Sequence, residues 1–239
     1  MLPSYREYQP PPGLEPVVAC LWEQAPAQAR AQRVLPDGCV DLIWVAEREL
    51  VVAGADTAAR TVELPAEERS SGIRLRPGAA GAFLGMPASE VRDRQIAAAE
   101  ILGEGAPRLA EALAGATPAQ RLQLLAEAMA RQGVAPDELV VAAARRLAGH
   151  AGRVAQIAAD LGISERQLHR RTVAAVGYGP KLLARVARLR RLVALADESL
   201  AARAYAAGYA SQAHMSEEVR RLTGTTPVRF LEDATLTAA

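Results

Sequence analysis

The sequence predicts an α+β chain, with a small β-rich N-terminal domain, a helical connector and an all-α C-terminal domain holding two helix-turn-helix units joined by a long helix. Three observations predict it. Short apolar runs give way to helical periodicity after Ala79, and one pattern occurs twice after Arg153. Charge is also segregated, because residues 145–239 contain 15 Lys or Arg and 8 Asp or Glu, a net charge of +7, whereas the preceding residues carry −6. We therefore divide the chain into 1–100, 101–150 and 151–239.

Six short runs in the first hundred residues predict strands, since each is apolar or alternating and is bounded by Pro, Gly or charged residues. They are Val17–Trp22, Arg33–Pro36, Val40–Val45, Leu50–Ala53, Thr61–Leu64 and Gly72–Leu75. Pro36-Asp37-Gly38 is typical of a turn, because proline presets the backbone and glycine accepts a positive φ. The first domain is therefore β-rich.

Helix-start signals and apolar residues three and four apart predict the remaining elements. A start at Ser89, with Arg92 and Asp93, precedes helices over Pro107–Ala114, Pro118–Arg131 and Pro136–Leu147, and Gly149–Gly152 is the best linker candidate. Beyond it the pattern predicts helices over Val154–Leu161, Ser164–Val176, Pro180–Ala196, Leu200–Ala207, Ser211–Leu222 and Val228–Glu232. On the long helix, Lys181, Arg185, Arg188 and Arg191 share one face, which either meets phosphate or is merely solvated.

The repeated pattern consists of a helix, a glycine turn and a serine-capped helix. The copies run in register at an offset of 47 residues from Ser164 and Ser211 onward, and the second has one extra residue after its turn glycine. Each copy is typical of a helix-turn-helix, whose second helix enters the major groove of DNA. One such unit could be a helical hairpin without any nucleic-acid role, but two units on the positively charged half favour double-stranded DNA as partner.

The polar residues at the start of each second helix are candidates for DNA contact. Arginine pairs bidentately with guanine and glutamine with adenine, so Arg166 and Gln167 are the predicted base readers. Arg170 and Arg171 are assigned to phosphate. The full set of candidate DNA-binding residues is Ser164, Arg166, Gln167, His169, Arg170, Arg171, Lys181, Ser211, Gln212, His214 and Arg220.

The two copies differ in charge. Glu217 takes the position of Arg170, and Glu218 follows it, so the second helix places two acids where phosphate is expected. Glu217 could still accept a hydrogen bond from a cytosine amino group. We therefore expect the first unit to dominate affinity for DNA.

These residues resemble the DNA-binding domain of AraC/XylS-type transcriptional regulators, in which two helix-turn-helix units enter successive major grooves. The resemblance covers Val154–Leu231 and is carried by Leu168–Arg170, Gly208-Tyr209, Gln212-Ala213-His214 and Arg221–Pro227. Val34–Ile43, Gly54–Thr57 and Gly72–Ala80 are similar to an uncharacterised N-terminal domain found on some actinobacterial-type members. The resemblance implies a small cupin-like β-barrel at the N-terminus that acts as a sensor.

The chain departs from the family pattern at several positions. Aspartate is usual where this chain has Ala202 and Ser211, and arginine is usual where it has Glu217. Phenylalanine is usual at the positions of Thr172 and Val219, so smaller side chains should loosen both units. We expect the second unit to be the weaker reader.

The N-terminal domain contains no histidine, since His150, His169 and His214 all lie beyond it, and two cysteines are too few for a Cys₄ zinc site. We expect no metal, cofactor or catalytic residue there. Trp44, Arg74 and Arg76 are the candidate effector-binding residues, the arginines for an anionic effector. The alternative is that arginines and the acids Asp37 and Asp41 form internal salt bridges that pin the turn.

Together these features indicate a sequence-specific DNA-binding transcriptional regulator, not an enzyme, that responds to an unidentified small molecule. RNA polymerase and a second copy of the chain are further candidate partners. No apolar run is long enough for a membrane span, so a cytoplasmic location is expected. The alternatives are a constitutive regulator whose N-terminal domain only dimerises, and a small-molecule-binding protein with a helical scaffold.

Overall fold

The strands of the N-terminal domain form two sheets. The structure, a computed structural model, describes residues 5–149, 153–195 and 199–232. Its strands are β1 (Tyr5–Tyr8), β2 (Val18–Gln24), β3 (Arg30–Val34), β4 (Val40–Val45), β5 (Glu49–Ala53), β6 (Arg60–Leu64), β7 (Ser70–Leu75) and β8 (Gln95–Ala97). The large sheet is antiparallel in the order β1-β2-β7-β4-β5-β8, and the small sheet pairs β3 with β6.

The large sheet has an apolar outer face and a mixed inner face, because successive side chains of a strand point to opposite sides. On β4, Leu42 and Trp44 belong to the main core on the outer face, whereas Asp41, Ile43 and Val45 line a cavity on the inner face. The small sheet lies across that cavity. The N-terminal domain therefore has the form of an open barrel around a chamber.

Helices follow in three groups. The first comprises α1 (Ala80–Leu84), α2 (Ala99–Leu102), α3 (Gly105–Ala114), α4 (Pro118–Gln132) and α5 (Glu138–Gly149). The first helix-turn-helix unit, called the first unit, comprises α6 (Val154–Asp160) and α7 (Glu165–Val176), and α8 (Pro180–Ala194) joins it to the second unit, α9 (Leu200–Ala206) and α10 (Gln212–Thr223). Helix α11 (Pro227–Leu231) closes the chain. We call α7 and α10 the recognition helices.

The first unit shares one core with the N-terminal domain and connector. Leu168, Ala175 and Val176 of α7 lie in the same buried cluster as Phe83 of α1 and Leu42 of the large sheet. The second unit packs in a separate buried cluster, in which Leu189 and Leu192 of α8 lie with Met215, Val219 and Phe230, and to which Leu35 of the N-terminal domain also belongs. The two units are thus anchored differently.

The predicted fold class is confirmed: a β-rich N-terminal domain, a helical connector and a C-terminal domain with two helix-turn-helix units. The Ser89 helix start was wrong, because Ala88–Glu90 form only a single 3₁₀ turn and the chain returns to the sheet as β8. Asp93 has a positive φ of 58° and its carboxylate accepts a hydrogen bond from the Thr57 backbone, which suits a bend. Strands β1 and β8 and helix α2 were not predicted, whereas α1 begins where helical periodicity was expected, after Ala79.

Two expectations about organisation stay predictions. The limits 1–100, 101–150 and 151–239 are untested, and residues 150–152 of the proposed linker lie outside the described residues. Among the described helices, none combines the length and apolar character needed to cross a membrane.

Candidate DNA-binding surface and the N-terminal chamber

A capping box starts the first recognition helix. The Ser164 hydroxyl accepts a hydrogen bond from the Gln167 backbone at 3.2 Å, and the Gln167 side-chain oxygen accepts one from the Ser164 backbone at 2.8 Å. Such reciprocal bonds satisfy two backbone donors that the helix leaves free. The Gln167 amide oxygen is therefore engaged, and the bidentate adenine contact predicted for it would require this cap to open.

Two arginines of α7 are exposed and free of protein partners. Arg166 and Arg170 make no ion pair or side-chain hydrogen bond with any described residue, and their spacing of four places them on one face of the helix. Arg171, predicted to bind phosphate, instead pairs with Asp137 of the connector at 2.8 Å. The charge that α7 offers to a polyanion is therefore concentrated at Arg166 and Arg170.

His169 is exposed, but its ring packs against the turn that follows α7. A Cβ placed on Gly179 would approach the His169 Nε2 to 2.7 Å, so a larger residue there would displace the imidazole. Leu168 and Thr172, predicted to face inward, are fully buried. The Thr172 hydroxyl donates to the Leu168 carbonyl at 2.7 Å, which satisfies it without a partner from another element.

The second recognition helix uses its histidine structurally. Ser211 accepts a hydrogen bond from the His214 backbone at 3.1 Å. The His214 Nδ1 accepts one from the Ala210 backbone at 3.2 Å, which leaves the ring proton on Nε2, 3.2 Å from Glu218. Both ring nitrogens of His214 thus have partners within α10 and the turn before it. The base contact predicted from the sequence would require His214 to leave them.

Glu218 does not face the DNA side, which corrects the expectation of two repelling acids. Its side chain is 9% exposed and points at α8, where Arg188 contacts both carboxylate oxygens at 2.8 and 2.9 Å. The Arg185 guanidinium lies 3.4 Å away. Glu217 is exposed, but it pairs with Arg221 at 2.8 Å. The acids of α10 are therefore both neutralised by arginines of the C-terminal domain.

Three of the four basic residues predicted to share a face of α8, namely Arg185, Arg188 and Arg191, make contacts within the protein. Arg191 donates to the carbonyls of Leu147 and Ala148 at the end of α5, and to that of Ala207 in the second unit. Arginine so placed satisfies carbonyls that a helix end leaves free. Of the four basic residues on this face, Lys181 alone is exposed and without a hydrogen bond or ion pair to a described residue.

In the second unit, two of the predicted DNA-binding side chains remain available. Gln212 and Arg220 are exposed, and neither side chain has a partner among the described residues. Sequence reasoning missed the brace of Glu218 with Arg188, because these residues lie 30 positions apart on different helices. The sequence did contain one signal of this contact: Glu218 is an acid in a strongly basic domain whose long helix α8 carries several arginines.

The chamber of the N-terminal domain is a cavity of about 190 Å³ between the two sheets. Its wall combines Trp22, Ile43 and Val62 with Gln24 and Gln32. The two glutamines are buried, and the Gln24 amide donates to Gln32 at 2.6 Å across the gap between the sheets. The cavity is partly open, and apolar side chains share its wall with fixed polar and charged groups, which are the kinds of group that line small-molecule sites.

The three predicted effector-binding residues are not brought together. Trp44 faces the main core on the other side of the large sheet, and the Arg76 guanidinium donates to the Glu15 carbonyl outside the chamber. Arg74 does line the chamber, but its Nε lies 3.2 Å from Asp41 and 3.5 Å from Asp37. This is the internal salt bridge that the sequence left open as the alternative to an anion site.

Both cysteines belong to this region and are shielded. Burial raises the pKa of the Cys20 thiol to about 12, and burial together with Asp37 raises the pKa of Cys39 well above its usual value. The thiolate is the reactive form of cysteine. Neither side chain is therefore set up for redox chemistry.

Two family descriptions match the chain. Residues 157–233 match a family described as a helix-turn-helix domain. This segment is an AraC-type helix-turn-helix domain. Residues 6–97 match a domain of unknown function (DUF6597). The resemblance to AraC/XylS-type regulators carrying a further N-terminal domain is thus confirmed.

Solved structures of ToxT from Vibrio cholerae are similar along most of the chain. That from strain O395 has a TM-score of 0.47 at 12% identity, covering 99% of each chain. A 1.65 Å structure in the P21 form has a TM-score of 0.49 at 9% identity, covering 98% of this chain and 99% of that one. Among curated proteins, none matches the chain.

Proposed function

We propose that the protein is a sequence-specific DNA-binding transcriptional regulator in which the first unit supplies most of the affinity. The observation that carries the proposal is the pair of serine-capped recognition helices in an AraC-type domain, with Arg166 and Arg170 unpaired on the first. The second unit adds Gln212 and Arg220 but pairs its acids internally. Such a regulator acts where chromosomal DNA lies, in the cytoplasm.

Selection of bound sequences from a random duplex pool tests sequence specificity first. We expect a selected site with two half-sites about one helical turn apart, because the recognition helices enter successive major grooves. Affinity should fall with added salt, since phosphate contacts release counterions. Equal affinity for selected and random duplexes at every salt concentration would contradict the proposal.

Arg170 and Arg171 form a matched pair for the second test. Both substitutions to alanine remove one positive charge from adjacent positions, but the Arg171 charge is already paired with Asp137. Arg170→Ala should reduce the slope of log affinity against log salt by about 1, and Arg171→Ala should reduce it less.

Gln212→Ala should cost less affinity than Arg170→Ala. If Gln212→Ala abolishes binding while Arg170→Ala leaves it unchanged, the second unit dominates instead.

We also propose that the chamber holds a small-molecule effector, which favours a regulated protein over a constitutive one. Because Arg74 is shared by Asp37 and Asp41, the chamber offers an anion no free guanidinium from this residue. We expect an uncharged or cationic compound with an apolar part. Contacts with RNA polymerase and with a second copy of the chain are further parts of the proposal.

A screen of compounds by thermal shift tests the chamber, because a ligand that binds only the folded chain raises its melting temperature. Val62 lines the chamber from β6, so Val62→Phe should reduce the available volume. A compound that stabilises the wild-type chain and loses this effect in Val62→Phe supports the proposal. Compounds that stabilise both proteins equally bind elsewhere.

A further inference from the structure

The small sheet of the N-terminal domain contacts the C-terminal end of the second recognition helix. The Arg33 guanidinium donates to the Thr223 carbonyl at 2.8 Å, and the Ala59 backbone donates to the Leu222 carbonyl at 2.6 Å. The last four carbonyls of a helix have no donor within that helix. Two of those in α10 are therefore satisfied by strands β3 and β6 and the loop beside them, from the other domain.

Leu35 adds an apolar contact at the same place. It follows β3 directly, is 8% exposed, and belongs to the core of the second unit with Leu189, Val219 and Phe230. Leu35 is thus an N-terminal residue that completes the core of a C-terminal unit. The same residue lines the chamber.

The alternation of β3 links the two surfaces. Gln32 and Val34 line the chamber, whereas Arg33, between them, reaches α10. Because adjacent side chains of a strand point to opposite faces, a shift of β3 moves both sets together. The small sheet is at once the wall of the chamber and the support of the second recognition helix.

The first recognition helix is held by other parts of the molecule. Arg171 pairs with Asp137, and a Cβ on Gly81 of α1 would approach the Ala174 carbonyl oxygen to 2.5 Å, so α1 and α7 pack backbone to backbone. Neither Asp137 nor Gly81 lines the chamber. A Cβ built on Gly38 would lie 3.1 Å from a Leu183 side-chain carbon, so the N-terminal domain also lies close to α8, the helix that joins the two units.

We propose that Arg33, Leu35 and Ala59 position the second recognition helix, and that the small sheet transmits occupancy of the chamber to the second unit while the first unit stays fixed. The positioning residues set the orientation of α10 relative to α7. The effects on DNA binding and on the response to an effector rest on the proposed function, whereas the positioning of α10 does not.

Hydrogen–deuterium exchange of the full chain tests the positioning without DNA. Arg33→Ala removes the hydrogen bond to the Thr223 carbonyl, and loss of one bond of ordinary net strength should raise exchange of residues 212–223 at least about fivefold. Exchange of residues 165–176 should not change. Arg94→Ala is the matched control, since it removes a guanidinium–carbonyl bond, to Glu90, within the N-terminal domain. Arg33→Lys keeps a donor and should restore part of the protection.

A filled chamber tests transmission. Val62→Phe places a larger side chain against the inner face of the small sheet and should change exchange in α10 but not in α7. Equal changes in both recognition helices, or a change in α7 alone, would overturn the proposal. So would an unchanged α10 in both Arg33→Ala and Val62→Phe.

The DNA measurement separates this inference from the proposed function. On a selected duplex with both half-sites, Arg33→Ala should change affinity about fivefold; on one whose second half-site is scrambled it should change nothing. Equal changes on both duplexes overturn the positioning role. Absence of any specific duplex contradicts the proposed function instead, and the exchange results then still decide the positioning role.

Discussion

Replacing Glu218 with alanine should release the second recognition helix from α8. The carboxylate is 9% exposed and accepts from Arg188 through both oxygens, with Arg185 at 3.4 Å and the His214 Nε2 at 3.2 Å. Alanine leaves these donors without their shared acceptor. We expect local opening of α10 while the first unit retains its structure.

The size of the effect follows from burial. Removing one partner of a buried ion pair costs about 3–5 kcal/mol, because the other charge is left unpaired. The Arg188 side chain is 18% exposed, so water compensates part of the loss. We therefore expect about 3 kcal/mol, near the lower limit of that range, or roughly a hundredfold more frequent opening.

Amide exchange under conditions where closing is faster than exchange converts protection into a local free energy of opening. Residues 212–223 should lose about 3 kcal/mol in Glu218→Ala, and residues 165–176 should keep theirs. Glu217→Ala is the matched control, because its partner Arg221 is exposed and such pairs contribute about 0–1 kcal/mol. A loss below about 1 kcal/mol in Glu218→Ala would refute the buried-pair estimate of about 3 kcal/mol.

Two further predictions concern the other anchors of the fold. Gly81→Ala should lower the thermal stability of the first unit, because its Cβ would lie 2.5 Å from the Ala174 carbonyl oxygen. Gly105→Ala is the control, since a Cβ there meets no atom within 4 Å. Equal melting temperatures for the two variants would contradict this prediction. Burial raises the pKa of Cys20 from 9.0 to about 12, so its contribution to stability is full below pH 9 and is lost as the pH rises toward 12, since the unfolded thiol ionises first. Iodoacetamide at pH 8.5 should label the cysteines only after unfolding in urea; rapid labelling of the native chain would show that the thiols are accessible.

Short-range sequence patterns were enough to predict both helix-turn-helix units. Ser164 and Ser211 cap helices as expected, because a cap is decided by a few adjacent residues. The same locality gives Gln167 a second role beside the predicted base contact. A glutamine three residues after a serine is typical of a capping box, and this short-range role competes with a contact to a base.

Long-range partners could not be inferred in this way. The roles of Arg188 and Arg191 depend on which elements pack against α8, and periodicity shows only that they share a face. Trp22 and Trp44 have similar local patterns, but the phase of each strand places one in the chamber and the other in the main core. A tertiary contact decides each case, and a single sequence contains no record of it.

The core shared by the first unit and the N-terminal domain has a consequence for modularity. A fragment that begins after the connector would bring Ala175, Val176 and Tyr178 into solvent, since they are buried in the shared cluster. The C-terminal domain should therefore be less stable alone than in the full chain, and an exchanged N-terminal domain would need a matching surface for α7.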